Sequence, residues 1–363
     1  MLELAVSELL RIVRDPDATN DPIGAAIQSF FDAAKQATPE AVGEAMAQVA
    51  PAIQLEDAER GMTVAVVCGV LVENGFDASP IAGPLMDRVR TLLEGSARLH
   101  DATMAQIPPE VRDGDEGISG ELFEGTRSAV GASMPAESEA WAQLEQFWPP
   151  VISMCSHSPV LRAAGKPLVD LAWRIEERHE GGHWLRLMLA VLDDEPFLAI
   201  EPSTNLGIAG RISGIVENFQ LHVLLMDAFP QRGLLRRRRV PQNVVDIALG
   251  NGPQGSEGTV TGAWNLYTWR ALQPNLELPD PGEYASHANW VWGEGVPADI
   301  PPFDGQRVVL LGPPSYERSW GSQRMFADLK AALQVTHTLD KREVRNALQQ
   351  IAHAAAAEHG QTQ

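Results

Sequence analysis

Apolar residues in the first half of the chain recur at the spacing of amphipathic helices. After Asp21-Pro22 they fall at i, i+4, i+7 and i+8 and so share one helical face; these residues are Ile23, Ile27, Phe30 and Phe31. Asp21-Pro22 and Thr38-Pro39 both place a capping residue before a proline, which is a common start of a helix. Asn74-Gly75 is a typical stop signal. The pattern predicts an all-helical array of stacked hairpins over residues 1–195, without a fixed internal repeat.

The pattern changes near Glu195-Pro196. Short segments follow that are rich in β-branched and aromatic residues and are bounded by Gly, Pro, Asn or Asp: FLAIEP, GIAGRISGI, TVTGAWNLYTW, NWVW and RVVLLGP. One helical segment, VENFQLHVLLMDAF, interrupts them, and two closing helices are expected at about residues 323–333 and 339–359. The sequence therefore predicts an α+β fold. The helical array is followed by a C-terminal α+β domain, residues 196–363, with a small, mainly antiparallel sheet built from Trp-rich strands.

The net charge of −20 is concentrated in the helical half. Residues 1–150 carry 25 acidic and 9 basic side chains, a net −16, whereas the remaining 213 residues carry −4. An acidic surface repels phosphate, so nucleic acid is not expected as a partner. A run of four arginines stands out against this background: Arg236, Arg237, Arg238 and Arg239. The run is interpreted either as a phosphate or anion contact, or as a structural feature, which would be a solvated loop or an internal partner for the acidic N-terminal half.

The hydropathy pattern predicts no membrane segment. The longest apolar candidate, residues 62–72, is well short of the roughly 18 to 20 residues that span a bilayer. The N-terminal segment carries Glu3 and Glu8 where a secretory signal would have Lys or Arg. Two cysteines, Cys68 and Cys155, are too few for a disulfide framework. We therefore expect a cytoplasmic protein without a membrane partner.

The stretch HEGGH, His179 to His183, matches the His-Glu-x-x-His pattern of zinc peptidases. On a helix, positions i and i+4 share a face, so two imidazoles can bind one zinc ion while the glutamate activates a water molecule. Glu201, with 17 residues between it and His183, has nearly the spacing of a third ligand. This interpretation makes His179, His183 and Glu201 the metal ligands and Glu180 the catalytic residue.

The two glycines inside the motif favour a structural interpretation. Glycine is unfavourable in a helix interior by about 1 kcal/mol relative to alanine, and it commonly ends a helix. The pattern predicts that Gly181-Gly182 separates two helical segments, with His179 and His183 on different segments and no metal bound. Glu201 lies in FLAIEP, which has the pattern of a strand and turn rather than of a second ligand-bearing helix.

A second candidate site combines aromatic and acidic residues in the stretch NWVWGEGVPADIPPFDG. Trp290 and Trp292 are two positions apart and would share one face of a strand, and Glu294 and Asp299 follow. Such a group can form a ligand cleft, and paired acids can serve a glycosidase. The alternative is that the tryptophans fill the sheet core and the acids lie in turns.

These features together predict a non-catalytic interaction or accessory protein of the bacterial cytoplasm. It would bind a protein partner through the acidic helical array, and a small ligand at the Trp-rich domain, without a cofactor. The alternative hypothesis is a zinc-dependent hydrolase of the HExxH peptidase type, with zinc as cofactor.

Overall fold

The computed structural model describes residues 1–114, 117–230, 240–253, 256–279, 290–291, 296–314, 317 and 319–361. The chain divides into two compact units, Met1–Ala190 and Val191–Gln363. The predicted architecture, a helical array followed by an α+β region with a mostly antiparallel sheet, is confirmed. Among the described residues, no helix has both the length and the apolar character needed to cross a membrane.

The first unit is built from helices joined by short turns. In chain order they are α1 (Leu2–Val13), α2 (Asn20–Ala34), α3 (Pro39–Val49), α4 (Ala58–Glu73), α5 (Ser79–Gln106), α6 (Pro109–Arg112), α7 (Gly120–Gly131), α8 (Pro135–His157), α9 (Pro159–Gly165), α10 (Val169–Trp173) and α11 (Glu180–Leu189).

The long helices α5 and α8 pack along each other at the centre of this unit, and α4 and α11 also pack against α8. The approach of α5 to α8 is close, because a Cβ atom at Gly95 would lie 2.6 Å from the Cβ atom of Ala140. The predicted helix start at Thr38 is confirmed, and its hydroxyl accepts the N–H of Ala41. The predicted start at Asp21 is wrong, because α2 begins at Asn20 with Thr19 as its N-cap. Asp57 caps α4 by accepting the N–H of Arg60. Helix α1 packs on α2 and α3.

The second unit contains a sheet with helices on both faces. Its elements are β1 (Glu195–Glu201), β2 (Leu206–Ser213), α12 (Asn218–Ala228), α13 (Gln242–Leu249), β3 (Ser256–Thr261), β4 (Asn265–Thr268), β5 (Trp290–Val291), β6 (Pro302–Phe303), β7 (Gln306–Gly312), β8 (Ser319–Ser322), β9 (Ala332–Leu339) and α14 (Lys341–Gln361).

The strand order of the main sheet is β5-β4-β7-β1-β2-β9, and β6 pairs with β7. Only the β1–β7 pair is parallel among the strand pairs of the described residues. Apolar residues of α12 and α13 cover one face of this sheet, and Val344, Leu348 and Ile351 of α14 cover the other. Strands β3 and β8 form a separate antiparallel pair.

The helix predicted over residues 323–333 is absent. Strand β9 begins at Ala332 and pairs along its length with β2, and one helix, α14, follows it. Leu333, Val335 and Leu339 fall at even spacing in this strand, among β-branched residues, which is a strand pattern. Pairing with β2 takes Ala332 and Leu333, and the residues before them form an irregular turn in which the guanidinium of Arg324 donates to the carbonyl oxygens of Ala327 and Leu329.

Candidate functional site

The histidine motif forms the start of helix α11. His179 is the N-cap residue, and its Nδ1 atom accepts the backbone N–H of Gly182 at 3.3 Å. Because Nδ1 is an acceptor, the ring proton lies on Nε2, which donates to the carbonyl oxygen of Trp141 at 3.2 Å. The ring is buried and meets Trp141 edge-on, with 4.6 Å between the ring centroids. Both nitrogens of His179 therefore have structural hydrogen-bond partners, and binding a metal would break one of these bonds.

The prediction that Gly181-Gly182 separates two helical segments is wrong. Helix α11 starts at Glu180 and includes both glycines in its first turn. Close packing accounts for them: a Cβ atom at Gly181 would lie 2.6 Å from Cδ1 of Trp148, and one at Gly182 would lie 2.6 Å from Cγ1 of Ile175. The two glycines let the start of α11 pack closely against Trp148 and Ile175, and they do not end a helix.

The other residues of the predicted zinc site have separate partners. The carboxylate of Glu180 accepts the indole N–H of Trp184 at 3.2 Å, and the half-exposed His183 has its Nδ1 atom 3.9 Å from a carboxylate oxygen of Glu176. Glu201 belongs to the second unit. Within the part of the chain that the structure describes, no three His, Cys, Asp or Glu side chains form a group that could hold a metal ion.

Burial lowers the pKa of His179 below its usual value, although the nearby carboxylate of Glu145 acts in the opposite direction. The ring is therefore neutral at pH 7, which its role as a hydrogen-bond acceptor requires. The Nε2 atom of His179 lies 3.5 Å from the carboxylate of Glu145.

Glu201, at the end of β1, joins a buried polar chain that the sequence did not reveal. Its side chain is 4% exposed, and its two oxygens accept the indole N–H of Trp264 at 2.8 Å and the hydroxyl of Thr204 at 2.5 Å. The Nε2 atom of His222 accepts the backbone N–H of Ala263 at 3.0 Å, and its ring stacks on Trp264. These bonds tie β1, α12 and the start of β4 together.

Glu217 is a second acid of this unit with restricted access to solvent: the residue is partly exposed, but its Oε1 atom is buried. It is the N-cap of α12, and its carboxylate accepts the backbone N–H of Met325 at 3.2 Å. Burial raises the pKa of Glu217 to about 7, although the Met325 N–H and the charge of Arg324 act in the opposite direction. The sequence feature that could have identified Glu217 as a helix cap is its spacing from Gln220, three positions later, with which it forms a capping box.

The predicted aromatic site is only partly within the described residues. Trp290 lies in β5, where its backbone pairs with Tyr267 of β4. Asp299 accepts the backbone N–H of Val296 at 2.9 Å and so closes a turn. Trp292 and Glu294 lie outside the described residues, as do Arg236, Arg237, Arg238 and Arg239. Trp264, Tyr267 and Trp269 are buried in the two cores beside the sheet.

An open cleft of about 720 Å³ lies at the carboxyl ends of the parallel strands β1 and β7. Three sets of residues line it: those that follow β1, those that end β7, and a turn in which Leu276 has a φ of +68°. They are Pro202, Ser203, Gln273, Leu276, Glu277, Leu278, Pro279, Leu311, Gly312 and Pro313. Ligands of sheets with parallel strands often bind at this end of the strands.

The first unit has an apolar groove between α2 and α4, which we call the α2–α4 groove. Its volume is about 290 Å³, and it is lined by Gln28, Phe31, Ala34, Lys35, Val70, Leu71, Asn74 and Phe76. Helix α2 buries Ala26, Phe30 and Ala34 completely, whereas Ile23, Ile27 and Phe31 of its predicted apolar face stay partly exposed. On α4, Val66 is 41% exposed one turn before Val70. Part of the apolar surface of both helices is thus left uncovered within the unit's described residues.

A second exposed apolar side chain of this unit is Trp173, at the end of α10. It is 64% exposed and borders a depression of about 450 Å³ that Met104, Ile118 and three arginines also line. Two of these arginines pair with carboxylates, Arg174 with Asp101 and Arg112 with Asp113. Charges of both signs therefore lie together here.

No protein-family model, no curated protein and no solved structure matches this chain.

Proposed function

We propose that this chain is a non-catalytic interaction or accessory protein that binds a partner protein through its acidic helical unit, at the α2–α4 groove. The observation that carries the proposal is the apolar groove itself. Side chains of Phe31, Val70 and Phe76 line it and are only partly buried. Exposed contiguous apolar surface on a protein commonly marks a place where another molecule binds.

The size of the groove suits the anchoring side chains of a partner. Full burial of one large apolar side chain is favourable by about 1.5–3 kcal/mol, so covering several half-buried ones contributes a few kcal/mol. In protein interfaces a few such anchors supply most of the binding energy, and a polar rim surrounds them. Gln28, Lys35 and Asn74 provide polar groups at the groove.

The contacts of the HExxH residues support a binding role over the zinc-hydrolase alternative. Both ring nitrogens of His179 are used to start α11 and to hold the carbonyl of Trp141. The carboxylate of Glu180 accepts the N–H of Trp184. Each residue thus has a local structural role that accounts for its presence.

We place this function in the cytoplasm. The proposal is supported by Cys68 and Cys155, which are both free and buried. Burial raises the pKa of each thiol to about 12, so neither is a reactive thiolate at neutral pH.

We also propose that a small ligand of the second unit binds in the cleft at the ends of β1 and β7, and not on the tryptophans. Ser203, Gln273 and Glu277 supply its polar groups. A thermal-shift screen of a panel of common metabolites tests this. We expect a hit whose shift is lost in Ser203→Trp and kept in Ser133→Trp, an exposed serine of the first unit. A shift that Ser203→Trp leaves intact would rule the cleft out.

Selection of random peptides displayed against the intact protein tests the main proposal. We expect enriched peptides whose affinity falls at least about tenfold in Phe31→Asp, equivalent to about 1.4 kcal/mol. Leu4→Asp is the matched control, because Leu4 is 76% exposed on the neighbouring helix α1 and does not line the groove. Folding of both variants is checked by circular dichroism and thermal melting.

Two results would contradict the proposal. One is the absence of any enriched peptide. The other is a set of peptides that bind folded Phe31→Asp as tightly as they bind the original chain. Trp173→Ala is a further control, since Trp173 is an exposed aromatic residue of this unit that does not line the groove.

A further inference from the structure

We infer that the occupant of the α2–α4 groove is a basic, amphipathic α-helix of the partner protein. This inference rests on the proposed function and adds to it the conformation and the charge of the bound segment. Three properties of the groove carry it: the helical walls, the volume, and the charges of the residues beside its lining.

The walls of the groove favour a helical occupant over an extended one. Most of the lining lies on α2 and α4, whose interior backbone groups already bond within the helix, and Asn74 and Phe76 follow the end of α4. An extended segment needs backbone partners, which it finds at the edge of a sheet, and here it would lose hydration without gaining hydrogen bonds. A helix satisfies its own backbone groups and presents only side chains, so it can enter an apolar groove at little polar cost.

The volume indicates about two anchoring side chains. A cavity of about 150 Å³ holds a benzene ring, so the 290 Å³ of the groove is room for two side chains of about that size. On a helix, residues three or four apart project from the same face and lie next to each other. Two apolar residues at that spacing would place one side chain near Phe31 of α2 and the other near Phe76, which follows the end of α4.

The charges beside the groove favour a basic occupant. The single lysine of the lining, Lys35, has its Nζ atom 3.2 Å from the carboxylate of Asp32, so its charge is already compensated. Asp77 adjoins the lining residue Phe76 in the chain and adds a further carboxylate, whereas the carboxylate of Glu73, beside Asn74, accepts the hydroxyl of Ser153 in α8. Hydrogen bonds from the backbone and the hydroxyl of Ser79 lower the pKa of Asp77, which keeps it ionised.

The net negative charge of the first unit also favours a basic occupant. Residues 1–190 carry 29 acidic and 14 basic side chains, a net −15. Such a field raises the rate at which a positively charged segment meets the surface and disfavours acidic competitors. Lysine and arginine on the outer face of the bound helix would meet this acidic surface.

Three synthetic peptides of about 15 residues, long enough to form a helix, test the conformation and the charge. The first has leucines at positions i, i+3, i+4 and i+7 and lysines elsewhere. The second replaces every lysine by glutamate, and the third has the composition of the first in an order without helical periodicity. Fluorescence anisotropy with the full chain should show the first peptide binding at least about tenfold more tightly than either of the others, with weaker binding at higher salt.

A matched pair of substitutions distinguishes groove binding from attraction to the acidic surface in general. Gln28 lines the groove and is exposed, so Gln28→Glu and Gln28→Lys should both fold. We expect Gln28→Glu to strengthen binding of the first peptide and Gln28→Lys to weaken it, each by about two- to fivefold. The same changes at the exposed Gln106, at the end of α5, are the controls and should have no effect.

The outcomes separate this inference from the proposed function. Display-selected peptides that need Phe31 but are acidic, or bind in extended form, would overturn the inference and leave the proposed function standing. Equal binding of the helical and scrambled lysine peptides would overturn it as well. Self-association of the chain that is lost in Phe31→Asp would show that a second copy fills the groove, which also overturns it. Failure of every peptide to respond to Phe31→Asp would overturn both.

Discussion

The backbone N–H of Gly182 donates to Nδ1 of His179 across 3.3 Å, so the first histidine of the HExxH motif is the cap of a helix. The opposite ring nitrogen holds the carbonyl of Trp141 in the neighbouring helix α8. One buried imidazole therefore starts α11 and fastens it to the centre of the first unit.

Replacing His179 should reveal this structural role. In His179→Leu both hydrogen bonds are lost, and we expect the free energy of unfolding to fall by about 1–3 kcal/mol. In His179→Asn the amide oxygen can still accept the N–H of Gly182, so the loss should be smaller. Urea denaturation measures both. If the free energy of unfolding falls equally in the two variants, His179 is not the cap of α11. One zinc ion per chain in the original protein, absent from both variants, would favour the zinc-hydrolase alternative.

The lowered pKa of His179 predicts a loss of stability in mild acid. The unfolded chain binds a proton at this histidine at a higher pH than the folded chain does. The free energy of unfolding should therefore fall as the pH decreases below about 6.5, towards the folded pKa. His179→Asn removes this contribution, so the difference in stability between the original chain and the variant should shrink from pH 7.5 to pH 5. A constant difference would contradict the prediction.

Glu217 should give the opposite dependence. Its folded pKa of about 7 lies above the value of 4.5 for an unperturbed glutamate, so between these values the folded chain binds more protons than the unfolded one. The stabilising contribution is full below about pH 4.5 and is lost as the pH rises through 7. Between pH 4.5 and pH 8, the free energy of unfolding of the original chain should fall by up to about 3 kcal/mol relative to that of Glu217→Gln. Glu177→Gln, at an exposed position, is the control.

If the difference in the free energy of unfolding between the original chain and Glu217→Gln does not change with pH, burial does not raise the pKa of this carboxyl. The readout must be the second unit's own unfolding, for example by hydrogen exchange in α12. Glu217 begins that helix, so its amides report directly on the local contacts.

The sequence predicted more of the fold than of the site. Hydrophobic spacing and capping residues were sufficient for the helices of the first unit, because an amphipathic face and a cap are local features. Strand β9 was missed because its pairing with β2 is a contact between residues more than 120 positions apart, such as Gly207 and Leu339. The Gly181-Gly182 pair was misinterpreted for the same reason, since Trp148 and Ile175 are what require the glycines.

The α2–α4 groove shows most clearly which features a sequence pattern does not predict. The sequence shows an apolar face on α2 that includes Ile27, Phe30 and Phe31, but it cannot show which of them the rest of the unit covers. The structure buries Phe30 completely and leaves Phe31 at the edge of a groove. The buried bond between Glu201 and Trp264 was equally invisible, because the two residues are 63 positions apart.

Arg60 should be important for the stability of the first unit. Its guanidinium donates to backbone carbonyl oxygens at the end of α1 and in the following turn, including those of Asp15 and Pro16, and it pairs with Asp57. The last carbonyl groups of a helix lack partners in the following turn of that helix, and arginine supplies several donors in a fixed geometry. We expect Arg60→Ala to lower the free energy of unfolding by about 2–4 kcal/mol and Arg60→Lys by most of that amount. Full stability of Arg60→Lys would contradict the multidentate role.

The most direct test of the central claim is photocrosslinking from the groove. The photoreactive amino acid p-benzoylphenylalanine is placed at position 28 in one protein and at position 4 in another, and each is irradiated with a labelled peptide selected on the original chain. Positions 28 and 4 are both exposed, but only the first lines the α2–α4 groove. We predict a covalent product from position 28 that excess unlabelled peptide prevents, and little from position 4. Equal products from both positions, or a product from position 4 alone, would contradict a binding site between α2 and α4.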